Sequence, residues 1–294
     1  MNLQNDDFSR EKVIIVPIKD VLDFPNHPFL VKNDESMEQL VQSIRMNGVL
    51  NPAIARRTNE GKYELISGHR RKRACILLGI EKIPLICREM SKEEAVIEMV
   101  DSNLHREHIL PSEKARAYKM KMEAMKQQGK RSDLTSTPMA GKSKDRETAS
   151  IIGLSNGESG DQVRRYIRLN ELTLELLEFV DQGKIGMRPA VELSYLQEDE
   201  MRDLVDFIDD EEIFPSHAQT IRMKALSKEG NLNTEIIRKI MLEEKPNQKA
   251  RIKISIEKIE KYFPSGSTQQ QMEDTIVKAL AMYRQRQKEI RDAR

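Results

Sequence analysis

The sequence predicts an α+β N-terminal domain over residues 1–110, an all-α helix-turn-helix domain over 111–214, and a helix-rich C-terminal segment over 215–294. Three observations predict this. Short apolar runs with strand character alternate with amphipathic helical runs as far as residue 104. From Pro111 onward strand patterns vanish and helical spacing takes over. A third of the residues are charged, only 4% are aromatic and tryptophan is absent, which suits a helix-rich protein with small cores.

Each element has a local reason. VIIVPI (13–18) reads as a short strand. NDESMEQLVQSIRMNG (33–48) is an amphipathic helix with Met37, Leu40, Val41 and Ile44 on one face. Ser36 and Gln39 offer it a capping box, and Gly48 stops it. AIARR (53–57) and KYELIS (62–67) are strands around a turn at Asn59, Glu60 and Gly61. A basic helix follows and ends at Gly79, then a strand IPLICRE (83–89). Ser91 with Glu94 caps a helix over 92–104. Residues 112–129 form a helix whose apolar face is Ala115, Tyr118, Met122 and Met125. Residues 130–145 have the Ser, Thr, Pro and Gly content of a loop. RETASIIG (146–153) and a helix starting at Ser159 outline a helix-turn-helix with a connection longer than the usual tight turn. Short helices fill 172–196. Beyond 215 the chain reads as charged helix, with a strand at RIKISI (251–256). The last helix spaces Met272, Ile276, Leu280 and Tyr283 on one stripe, which calls for a second subunit, a homodimer.

Charge is segregated although the net charge is only +1. Residues 114–168 carry 13 basic and 6 acidic side chains; residues 169–214 carry 3 and 14; residues 215–294 carry 17 and 10. A basic middle and a basic tail fit a polyanion such as double-stranded DNA. Near the start of a recognition helix, Ser159, Gly160, Asp161, Gln162, Arg164 and Arg165 are the candidates to reach base edges. Lys142, Lys144 and Arg146 are placed for phosphates. Val163, Tyr166 and Ile167 share the opposite, core-facing side. Cys75 and Cys87 sit in apolar settings and suggest neither a disulfide framework nor, with five scattered histidines, a structural zinc site. No apolar run of about 18 residues is present for a membrane span, and no signal-peptide core opens the chain, so a cytoplasmic, nucleoid-associated protein is expected.

One stretch defies a simple rule. Arg70, Arg71, Lys72 and Arg73 crowd the start of a helix, where the partial positive charge of the helix terminus favours anions. Gly68 just ahead would let a backbone approach a phosphate, and free N–H groups would face it. An anionic ligand is expected there. The G-x-x-x-x-G-K-[ST] pattern of P-loop enzymes is absent.

LISGHRRKRACILLGIEKIP (65–84) resembles the G-E-R-R-x-R-A box of the ParB partition proteins. DESMEQLVQSIRMNGVLNP (34–52) resembles the segment ahead of that box, and DSNLHREHILPSEKARAY (101–118) their E-N-x-x-R-E box. SGDQVRRYIRLNEL (159–172) resembles their recognition helix. The resemblance covers roughly residues 13–200, with four motifs in order. It implies a ParB/sulfiredoxin-like N-terminal fold and a site for CTP with Mg2+. Carried over by position, the phosphate grip is Gly68, His69, Arg70, Arg71, Arg73 and Ala74, completed by Asn103 and Arg106. The glutamate of the first box is His69 here, and that of the second is Ser102, with Asp101 one position earlier. Asp101 and Asn103 are then the metal-ligand candidates. Nucleotide binding is expected above hydrolysis, because a hydroxyl is a poor magnesium ligand beside a carboxylate.

The function implied is partition of a plasmid, chromosome or mobile element by a CTP-binding clamp that loads at a centromere-like inverted repeat. A ParA-type ATPase is the family's usual partner, but residues 1–12 lack the L-G-x-G-L-like run that engages it. Two alternatives stay open. One is a site-specific transcriptional regulator that does not spread; the other is a ParB-fold enzyme such as a nuclease. SGHRR lacks the cysteine a sulfiredoxin needs, and the lost glutamates argue against clustered metal ligands for a nuclease.

Overall fold

The computed structural model describes residues 12–104, 106, 108–132, 141–243, 259, 262–264 and 268–292. Its N-terminal part is a five-stranded mixed sheet: β1 (Val13–Pro17), β2 (Val21–Leu22), β3 (Ala53–Arg57), β4 (Tyr63–Ser67) and β5 (Lys82–Arg88), in the order β1-β5-β3-β4-β2. β5 pairs antiparallel with β1 and parallel with β3; β4 pairs antiparallel with β3 and parallel with β2. Alternation divides the side chains between two faces. Leu65 joins a core with Ala53, Ala55, Ile83 and Leu85 under α1 (Glu35–Asn47) and α2 (His69–Leu77). Its neighbour Ile66 joins Phe24, Phe29, Met99 and Val100 under α3 (Lys92–Leu104) and α4 (Pro111–Ser132).

Several local expectations hold. Ser91 and Glu94 form a reciprocal cap at α3, with the Glu94 N–H donating to Ser91 Oγ (3.2 Å) and the Ser91 N–H to Glu94 Oε2 (2.8 Å). Gly48 ends α1 at φ 69°. The start of α1 differs. Asp34 is its cap, accepting the Met37 N–H at 2.9 Å, while the Ser36 hydroxyl donates to Asp34 at 2.7 Å. A carboxylate one residue before the helix outcompetes a serine already inside it.

The helical part contains α5 (Gly141–Ser155), α6 (Gly160–Arg168), α7 (Leu174–Asp181), α8 (Met187–Leu193), α9 (Glu198–Glu211), α10 (His217–Lys228) and α11 (Thr234–Leu242). The boundary expected between 214 and 215 falls inside one core. Leu169, Leu176, Leu193, Leu204 and Phe207 pack in the same cluster as Met223, Leu232, Ile237, Ile240 and Met241. The buried Gln219 side chain donates to the Ile240 carbonyl at 2.6 Å. The switch to a basic sequence after 215 marks a change of surface charge, not of core. The chain divides instead into compact units over 1–243 and 244–294. The second contains α12 (Gln269–Asp292), with Leu280 and Tyr283 exposed. The strand expected at 251–256 lies outside the described residues. Among the described residues no helix is long and apolar enough to cross a membrane.

This core predicts where the chain can be cut. A chain ending at residue 243 should keep cooperative urea unfolding, followed by circular dichroism. One ending at 214 loses five buried large side chains, each worth about 1.5–3 kcal/mol. That sum rivals the whole stability of a domain, so the helical part should unfold. Equal midpoints for the two chains would contradict the single core.

Candidate nucleotide site and nucleic-acid interface

β4 runs into α2 through one residue, Gly68, at φ 107° and ψ 18°. A Cβ there would lie 2.7 Å from Ala53 Cβ on β3, so only glycine fits. The glycine is therefore required by strand-to-helix packing, independently of any phosphate. The N–H groups of His69, Arg70 and Arg71 precede the first bond of the helix, from the Lys72 N–H to the Gly68 carbonyl (3.0 Å).

The four cations have different fates. Lys72 is buried and pairs with Asp23 at 2.8 Å. Arg71 clamps the loop before β3, donating to the carbonyls of Asn51 (2.6 Å) and Pro52 (2.7 Å), and burial pulls its pKa down. Arg73 Nε donates to Asn33 Oδ1 at 3.4 Å. Arg70 donates to Ser36 Oγ at 2.5 Å and reaches Asp34 Oδ1 at 3.4 Å. Arg71 and Lys72 are thus committed to the fold, while Arg70 and Arg73 lie along the segment before α1. Ala74, on the inner face of α2, is fully buried and packs in the core.

Arg70 and Arg106 line one open cleft of about 720 Å³ with Leu30, Lys32, Asp34, His108, Ile109, Leu110 and Glu113. The buried Glu113 fixes two of its walls, accepting the N–H groups of Leu30 (2.8 Å) and Leu110 (3.1 Å). The Arg106 guanidinium lies 5.8 Å from the Phe29 ring centre. Burial lowers the Arg106 pKa, and the charge of Arg70 lowers it further. Arg70 Nε is buried and has no partner. Two guanidinium groups that repel each other beside an unsatisfied N–H call for an anion.

Of the second half of the expected site, Arg106 reaches the cleft and Asn103 does not line it. Asn103 is buried, and its amide donates to the Met99 carbonyl at 2.7 Å. The Ser102 hydroxyl donates to the same carbonyl at 3.0 Å. Asp101 pairs with Lys121, whose side chain is 5% exposed and also donates to Ser155 Oγ at 3.3 Å. Residues two apart on a helix do not face one another, so Asp101 and Asn103 do not converge, and as placed they do not fit a magnesium ion. Among the described residues no group of three or more His, Cys, Asp or Glu side chains could hold a metal.

His69 does not wall an open pocket. Its ring packs against His27, with centres 3.7 Å apart and planes at 39°. His27 Nδ1 lies 2.7 Å from the Phe29 carbonyl, and both Nε2 atoms are buried without partners. Burial, then the neighbouring His27, pushes His69 down to about 3; Asp23 opposes this weakly, and Lys72 and Arg106 add to it. Burial also lowers His27. Burial thus disfavours charge on both rings where they meet.

The helix-turn-helix is tighter than the sequence suggests. α5 continues to Ser155 and α6 begins at Gly160, leaving residues 156–159 as the connection. A Cβ on Gly153 would lie 2.5 Å from the Glu158 carbonyl oxygen, and one on Gly160 would lie 2.7 Å from Ser150 Oγ. The helices cross nearly backbone to backbone. Lys114 of α4 pairs with Glu158 at 2.8 Å and holds the turn. The core here is Tyr118, Met122, Ala149, Ile152 and Val163, flanked by Tyr166 and Ile167. Ser159 caps α6, accepting the Gln162 N–H at 3.2 Å, and Asp161 pairs with Arg164. Arg146 and Arg165 are exposed and Gln162 is half-buried. The side chains of Lys142 and Lys144 lie outside the description.

Residues 2–104 match the family model of the ParB N-terminal domain. The chain carries a ParB N-terminal domain. Its relatives include a nucleoid occlusion protein of Halalkalibacterium halodurans, 39% identical over 114 residues, which are 39% of this chain and 40% of that one. Another is the chromosome-partitioning protein Spo0J of Thermus thermophilus, 29% identical over 63% of this chain and 61% of that one. The chain thus spans about two- to three-fifths of these relatives. Among solved structures, a C-terminally truncated ParB from Caulobacter crescentus complexed with CTP-gamma-S is 24% identical, covering 67% of this chain and 99% of that one, with a TM-score of 0.31. As cleft residues, sequence reasoning missed Lys32, Asp34, Ser36, His108 and Glu113. Only Asp34 carried a signal, as an aspartate just ahead of a helix.

Two predictions follow from these contacts. An unfolded histidine has a pKa near 6.5 and folded His69 one of about 3. Between those values the unfolded chain binds more protons, so this contribution is complete above about pH 6.5 and is lost as pH falls toward 3. The melting temperature should drop from pH 7 to pH 5, and His69→Gln should flatten that drop. Parallel curves for the two proteins would refute the assignment. Gly153→Ala should destabilise the helical part by about 1–3 kcal/mol through overpacking, read from urea midpoints; an unchanged midpoint would rule out the close crossing.

Proposed function

We propose that the chain is a nucleotide-binding, sequence-specific DNA-binding protein that acts in partition or nucleoid occlusion. The observation that carries this reading is the meeting of Arg70 and Arg106 in one cleft at the start of α2, with Arg70 Nε unsatisfied. A nucleotide's phosphates supply the oxygens these groups lack, and the volume lies within the range of small-ligand sites. CTP is the nucleotide the ParB boxes imply. Arg70, Arg106, Lys32 and the first N–H groups of α2 would hold its phosphates. Binding without brisk hydrolysis fits the engagement of Asp101 by Lys121 and of Ser102 by its own helix.

The DNA-binding reading rests on α6, presented by a rigid crossing over α5, with Arg165 and Arg146 exposed in the most basic part of the chain. A homodimer on an inverted repeat is the natural arrangement for such a reader. A ParA-type ATPase as partner, and residence on the nucleoid, belong to the same proposal.

Calorimetric titration with CTP tests the cleft. The wild-type chain should bind, and Arg70→Ala or Arg106→Ala should each weaken binding at least tenfold, as expected for a charge-assisted contact worth about 1.5–3 kcal/mol. A wild-type chain that binds no nucleotide would refute the assignment. For DNA, a preferred duplex is selected from a randomised pool. Gln162→Ala and Arg165→Ala should each reduce preference for it by about 1–3 kcal/mol per lost base contact, and affinity should fall steeply with salt. Selection that enriches no sequence would leave the helix without a reading role.

A further inference from the structure

We infer that Asp34 is a resting counter-ion for Arg70 and limits how tightly the cleft holds a nucleotide, because an incoming phosphate must take the place of Asp34 at the guanidinium. This rests on the reading of the cleft as a nucleotide site.

The geometry is specific. Arg70 donates to Ser36 Oγ at 2.5 Å and lies 3.4 Å from Asp34 Oδ1. Asp34 is held in that position by its own cap, accepting the Met37 N–H (2.9 Å) and the Ser36 hydroxyl (2.7 Å). Those two hydrogen bonds keep the carboxyl below its ordinary pKa, so it is anionic wherever a nucleotide would be bound. The cleft is otherwise lined by the cations Lys32, Arg70 and Arg106, with His108. Its other acid, Glu113, is occupied by two backbone N–H groups. Asp34 alone pairs an acid of the lining with an arginine of the lining.

The fold has little need of that pair. The Arg70 and Asp34 side chains are 36% and 50% exposed, and exposed ion pairs contribute almost nothing to stability. The capping role needs only an acceptor, which asparagine supplies equally well. The negative charge of Asp34 is therefore separable from its structural duty. It occupies Arg70 in the absence of ligand and repels a polyanion in its presence. Ser36 keeps the guanidinium aimed into the cleft in either state.

The test is calorimetric titration of CTP into the full chain and into Asp34→Asn, at low and high salt. Asp34→Asn should bind about fivefold more tightly at low salt, the effect of one charge about 4 Å away in water. The gain should shrink as salt screens it. Asp34→Glu, which keeps the charge, should stay near the wild-type affinity. Melting temperatures should match, showing that α1 keeps its cap. If the wild-type chain binds CTP and Asp34→Asn binds equally or more weakly, the inference is overturned, and Asp34 touches the ligand or its metal instead. If Asp34→Asn binds and the wild type does not, the inference stands in its strongest form. If neither binds, the nucleotide reading falls and takes this inference with it.

Discussion

The close approach of Gly68 to Ala53 is the contact on which the N-terminal half depends. It lets β4 turn into α2 within a single residue and sets the first turn of that helix against the end of β3. Arg71 reinforces the same junction by holding the carbonyls of Asn51 and Pro52. Because the helix start is fixed from two sides, Arg70 can face the segment before α1 and share a cleft with Arg106. A side chain at residue 68 would push α2 off the sheet and dissolve that convergence, whatever its effect on a ligand.

The helical half uses the same device. Gly153 and Gly160 bring α5 and α6 into near backbone contact, and Lys114 pins Glu158 in the turn between them. A crossing set by backbone contact varies less in its spacing than one set by long side chains. In both halves glycine fixes position by what it omits.

Strands β1, β3, β4 and β5 and helix α3 with its cap were legible in the sequence, because alternation, helical spacing and capping are local signals. The two-residue β2 was not, being too short to show a period. The core running from Leu169 to Met241 was hidden by a change in surface charge that says nothing about burial. At the site, the clustered arginines and Gly68 were visible, but their partners were not. Asn51, Asp23, Ser36 and Asp34 meet the start of α2 across 20 to 49 positions of sequence, and no periodicity encodes such a meeting. His69 shows the same limit: its place in the box was plain, while its stacking on His27 depends on how the segment before α1 folds back.

The fate of Asp101 links these observations. The acid nearest the missing glutamate of the second box does not take its place, because Lys121 holds it. With its ammonium buried, Lys121 would be left as an uncompensated charge if Asp101 turned away, a loss of about 3–5 kcal/mol. Ser155 Oγ, at 3.3 Å, is a neutral partner and could not replace the carboxylate. The same pair ties α3 to α4, and Lys121 reaches on to the last residue of α5. Recruiting Asp101 to a metal would therefore strain the junction between the sheet domain and the helix-turn-helix. The departure at Ser102 and the commitment of Asp101 point the same way: the polar groups of this stretch of α3 are spent on keeping the scaffold together.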